Sequence, residues 1–110
     1  MSPVAQAEAW TPNGMTGMIV GVLELKISIF DAMTLKDKRR VVKSLKDRIH
    51  NTFNASVAEV DGQDLIRTAV LGVAVVANES RFVESVLSKI VDLVRRTPPV
   101  TLIDYQIEKW

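Results

Sequence analysis

The hydrophobic period of this chain switches from two to helical spacing and back twice, and that order restricts the folds open to it. Along Ile19–Ile29 side chains alternate, with Leu23, Leu25, Ile27 and Ile29 on one face. Val20, Val22, Glu24, Lys26 and Ser28 take the other face. From Thr34 to Phe53 apolar residues return at about 100° per residue. Alternation resumes in Ala55–Asp61 and Arg67–Ala77, helical spacing in Phe82–Arg96, and alternation again in Val100–Glu108. The order is β-α-β-β-α-β.

Local signals mark the boundaries. Thr34 is placed to cap the first helix, with Asp37 three residues on in a capping-box pattern. Asp37 also suits the positive end of the helix dipole. Leu35, Val41, Val42, Leu45, Ile49 and Phe53 share one side of that helix, and Asn51 and Asn54 can end it. Asp61-Gly62 begins a turn. Asn78 is placed to cap the second helix, and Pro98-Pro99 stop it. In the last strand Ile103, Tyr105 and Ile107 are expected to face inward, and Asp104, Gln106 and Glu108 outward.

Arg67–Ala77 is apolar on both faces and so belongs in the middle of a sheet. Two β-α-β halves with right-handed crossovers then give an α+β sandwich. It is ferredoxin-like, a four-stranded antiparallel sheet with two helices on one face. An apolar set is left over for the helix-free face: Val20, Val22, Val70, Ala74, Val76, Val100 and Leu102. In a lone monomer these meet water, so a homodimer or another cover is expected.

With 110 residues and 47% hydrophobic side chains, the chain suffices for one domain with a real core. Residues 1–17, broken by Pro3, Pro12, Asn13 and Gly14, read as a flexible N-terminal extension, and residues 18–110 as the single domain. No apolar run approaches the roughly 20 residues needed to span a bilayer, and no signal-peptide pattern precedes the domain. A cytoplasmic protein without membrane contact is the expectation. The absence of cysteine excludes disulfides and thiolate chemistry.

Few residues point to chemistry. The single histidine, His50, has no second imidazole or thiolate with which to build a metal site and reads as a helix-end residue. Glu59, Asp61 and Asp64 form the one close acidic cluster. They can hold a cation or act in acid-base work. They can equally line a solvated turn or pair with the basic helix. No nucleophile elbow or phosphate loop is present. Gly72, alone inside a strand, suits close packing rather than a phosphate cradle. Catalytic residues, metal ligands and cofactors are therefore not assigned, and a non-enzymatic protein is expected.

Charge is distributed unevenly. The formal net charge is +1, yet seven basic residues between Lys36 and Arg48 face only Asp37 and Asp47. Lys36, Arg39, Lys43 and Lys46 recur at spacings that form one stripe, with Arg40 at its margin. Such a stripe can follow phosphates, which makes these five residues the candidate nucleic-acid contacts. The sheet positions that stack bases in RNA-recognition modules of this architecture hold valine, alanine and glycine instead. RNA binding is therefore expected on the helix.

Four segments together resemble the YlxP-like family of small bacterial proteins of unknown function. They are TLKDKRRVVKSLKDRI at Thr34–Ile49, FNASVAEVDGQDL at Phe53–Leu65, LGVAVVAN at Leu71–Asn78, and the ending VTLIDYQIEKW. The likeness runs from Met18 to Trp110. It implies a ferredoxin-like fold that dimerises. Genes of the family often neighbour those for translation initiation and ribosome maturation factors, which implies by association a role near ribosomal RNA. No catalytic residues carry over. Gly62 stands where relatives often place histidine, which weakens any metal or polar chemistry at Asp61.

The leading expectation is an RNA- or ribosomal-subunit-associated accessory protein that uses its basic helix. The alternatives are a homodimeric module docking an acidic protein partner, and a ligand binder or enzyme built on the acidic loop.

Overall fold

The computed structural model describes residues 17–110. The expected extension therefore lies outside the described residues, apart from Gly17. The elements are β1 (Ile19–Ser28), α1 (Leu35–Phe53), β2 (Ser56–Asp61), β3 (Thr68–Ala77), α2 (Ser80–Arg95) and β4 (Thr101–Lys109).

The ends of α1 follow from local chemistry. The Thr34 hydroxyl accepts the Asp37 backbone N–H at 3.1 Å. In return the Asp37 carboxylate accepts the Met33 N–H at 3.1 Å, one residue upstream of the usual reciprocal partner. The second bond favours the ionised carboxylate. The Met33 backbone bond first, then the Thr34 hydroxyl, hold Asp37 below the ordinary aspartate value. Asn54 ends the helix in the left-handed region at φ 51°. The second helix differs from expectation. It begins at Ser80, with Glu79 in the cap position and no side-chain cap bond, so Asn78 does not cap it.

The sheet order is β2-β3-β1-β4, and every neighbouring pair is antiparallel. This is the ferredoxin-like arrangement. Leu23, Leu25 and Ile27 of β1 and Leu71 and Val73 of β3 join one core with Val42, Leu45 and Ile49 of α1 and Leu87, Ile90 and Val94 of α2. Helix α2 packs tightly over Gly21. A Cβ there would meet Val83 Cγ1 head-on and lie 3.0 Å from Leu87 Cδ1. Across the sheet, Val60 Cγ1 comes within 2.9 Å of where a Cβ on Gly72 would sit, so that glycine does serve close packing.

One bulge corrects the reading of the last strand. Lys26 pairs with Asp104 while Ile27 pairs with Leu102, leaving Ile103 as the extra residue. A one-residue insertion exchanges the faces of everything before it. Leu102 therefore packs against the core and Val100 is buried in it, rather than on the helix-free face. Beyond the bulge, Tyr105 and Ile107 pair with Leu25 and Leu23 and so lie on the helix side, as expected. They remain 40% and 39% exposed because β4 is an edge strand, and Ile103 is exposed as well.

Candidate nucleic-acid interface on the first helix

The core stripe of α1 turns the opposite side of the helix to solvent. Lys36, Arg39, Arg40 and Lys43 are exposed there and Lys46 is half-buried. These are the five residues singled out by spacing. Lys43 Nζ lies 2.8 Å from Asp47 Oδ2, one helical turn away. That hydrogen bond raises the Lys43 amine above its ordinary value and lowers the Asp47 carboxyl. Arg48 donates to the Thr97 hydroxyl at 3.3 Å, which ties the end of the basic segment to the loop after α2. Among the described residues, Lys36, Arg39, Arg40 and Lys46 make no ion pair. An open depression is lined by Arg40, Lys43 and Arg48 together with Ser44, Asp47 and Asn51.

Lys38 departs from the rest of the segment. Its side chain is fully buried. Its Nζ donates to the Gly62 carbonyl at 2.6 Å, reaches the Gln63 carbonyl at 3.5 Å, and lies 2.8 Å from Glu59 Oε2. The approach to Glu59 is off-line, so that oxygen has an ionic neighbour but no directed hydrogen bond. Lys38 thus fastens α1 to the end of β2 and to the loop after it. The sequence carried a signal for this. Lys38 stands four residues before Val42 and seven before Leu45, in line with the apolar stripe.

The acidic cluster does not converge. Glu59 turns under α1 to Lys38, Asp61 accepts its neighbour Gly62's N–H at 2.8 Å, and Asp64 is exposed in the loop. Among the described residues, no group of three His, Asp or Glu side chains is placed to hold a metal ion. His50 is exposed near the end of α1 with Nδ1 2.8 Å from the Ala55 carbonyl, a contact that braces the turn into β2. No described helix is long and apolar enough to cross a membrane.

Residues 20–107 match the family described as "Protein of unknown function (DUF503)". The chain belongs to this family. It is also 30% identical over 82 residues to the "Uncharacterized protein YlxP" of Bacillus subtilis (strain 168), across 74% of this chain and 89% of that one. Among solved structures, a de novo designed protein with a ferredoxin fold aligns at TM-score 0.50 and 20% identity, over 81% of this chain and 84% of its own. That likeness shows the fold alone. The designed protein Foldit4 aligns at TM-score 0.49 and 12% identity, over 83% and 96% of the two chains.

Proposed function

We propose that this DUF503 protein is a non-enzymatic, RNA- or ribosome-associated accessory protein that contacts phosphates through the outer face of α1. One observation carries the reading. The inward-facing lysine of the basic segment is neutralised by Glu59, while Lys36, Arg39, Arg40 and Lys46 stand on the solvent side without an ion pair among the described residues. The buried cation Lys38 is paired within the fold, whereas Lys36, Arg39 and Arg40 are exposed. They recur along one helix, so successive phosphates of a backbone can be met in turn. Each neutralised phosphate releases condensed counterions, which makes such binding steeply dependent on salt.

The test is a titration of the full chain with structured ribosomal RNA and with ribosomal subunits across a salt series. Affinity should fall linearly on a log–log plot, with a slope of roughly −0.9 per phosphate contact on duplex regions. Replacing Arg39, Lys43 and Lys46 by glutamate should abolish binding with the fold intact. No binding even at low salt would sink the reading and make an acidic protein surface the better partner for α1. Binding indifferent to those three residues would move it elsewhere on the molecule.

A further inference from the structure

We propose that the RNA meeting α1 is single-stranded there, with an unpaired base stacked on the exposed ring of Phe30, an inference that rests on phosphate contact by that helix. Two loops meet just ahead of α1. The Ile29 N–H donates to the Arg67 carbonyl at 2.8 Å, and the Ala32 N–H donates to the Ile29 carbonyl at 3.1 Å. The second bond closes a turn whose two central residues are Phe30 and Asp31. Arg67 Nε donates to the Ala32 carbonyl at 3.0 Å, and its guanidinium lies 3.9 Å from Met33 Sδ. Lys38 holds the other limb of the second loop through the Gly62 carbonyl. These braced loops leave Phe30 and Met33 each 70% exposed, with Leu65 and Ile66 exposed on the second loop. None of the four packs into the core.

The charges around these side chains select the occupant. Asp31 and Asp64 are exposed on the same two loops, and Asp37 accepts the Met33 N–H. An acidic protein segment would bring its own carboxylates against these three. A base is uncharged, and its exocyclic amines donate to carboxylates. Phosphates are met further along the helix. Arg40 lines the depression beside the Phe30 turn, together with Ile29, Asp31 and Asp37, and also the depression that continues to Lys43 and Arg48. Arg40 and Lys43 stand about 8 and 12 Å along the axis from the start of α1 at Leu35. A single strand has both parts to offer, splayed bases for the ring and phosphates for the cations. A duplex keeps its bases stacked inside and leaves Phe30 without a partner. Arg67, exposed and held by the Ala32 carbonyl, offers a second flat group to a neighbouring base.

Fluorescence anisotropy with the full chain tests this. The probe is a short labelled oligoadenylate, alone and annealed to oligouridylate, across a salt series. The duplex has the denser charge, so electrostatics alone favours it. The single strand is nonetheless expected to bind about 10-fold tighter. Phe30→Ala should lower single-strand affinity about 10-fold. It should leave duplex binding and the salt slope unchanged, since the ring carries no charge. Phe30→Tyr should keep the single-strand preference, and Phe30→Leu should lose it. Circular dichroism checks that the variants are folded. Equal or tighter binding of the duplex, or indifference to Phe30→Ala, would overturn the inference. If Arg39→Glu still weakened binding in that case, phosphate contact by α1 would stand. Full affinity in Phe30→Leu would also overturn it and make these loops an apolar docking surface for protein. No binding of either probe at low salt would remove the helix reading together with this one.

Discussion

The Lys38 ammonium sits 2.8 Å from Glu59 Oε2, with the lysine fully buried and the glutamate side chain 16% exposed. A buried lysine is tolerated only when its charge is paired and its protons have acceptors. Glu59 supplies the charge and the Gly62 carbonyl an acceptor. The pair binds a helix to a loop that otherwise makes few core contacts, because Gln63, Asp64, Leu65 and Ile66 are all exposed.

Removing one partner of this pair should cost more than removing both. Lys38→Met strands the Glu59 carboxylate, and stability should fall by about 3 kcal/mol. Adding Glu59→Leu to Lys38→Met should recover part of that loss, since the orphaned charge is then gone. Urea denaturation of the single and double variants measures the coupling. Strictly additive losses would show that the two residues do not stabilise each other.

The cap of α1 makes stability depend on acid. Hydrogen bonds from the Met33 and Thr34 backbone and the Thr34 hydroxyl lower the folded-state value of Asp37 below its reference of 3.8. A lowered carboxyl stabilises the fold above the unfolded-state value, and that contribution is lost as pH falls through the folded-state value. Thermal melts should therefore show a decline below about pH 4 that Asp37→Asn flattens. Thr34→Ala, which removes the capping hydroxyl, should cost about 1 kcal/mol at neutral pH.

Two glycines should respond differently to the same added methyl. At Gly21 the new carbon collides with Val83 and crowds Leu87, both buried in the core, so α2 has to lift from the sheet. Gly21→Ala should cost about 1–3 kcal/mol. At Gly72 the obstacle is the half-exposed Val60, which can turn toward solvent. Gly72→Ala should cost less than about 1 kcal/mol. Chemical denaturation of the two variants checks the order, and equal losses would contradict it.

Freeing Lys43 should strengthen phosphate binding if α1 is the RNA surface. Asp47 holds the Lys43 amine at 2.8 Å. Asp47→Ala releases it and removes a like-charge repulsion toward phosphate. The salt dependence should steepen by up to about 0.9 in log–log slope, one contact's worth. An unchanged slope would mean that Lys43 meets no phosphate.

Much of the fold was legible along the chain because its signals are local. The alternation of Leu23, Leu25 and Ile27, the stripe of Val42, Leu45 and Ile49, and the cap formed by Thr34 and Asp37 each depend on residues within a few positions of one another. Together they determined the element order, and with the right-handed crossover rule they determined the topology. The exposed basic face of α1 followed from the same periodicity.

What only the tertiary structure decided depends on groups distant in sequence. Lys38 was one of seven basic residues in its segment, and only the fold shows Glu59 and the Gly62 carbonyl closing around it. The bulge at Ile103 exists only in the pairing of β4 with β1, and its single extra residue moved Val100 and Leu102 from the open face into the core. Gly21 acquires its meaning only when Val83 arrives from α2. Periodicity along a chain determines which residues share a face. Which charge is neutralised, and where a register slips, is determined by the partner that packs against that face.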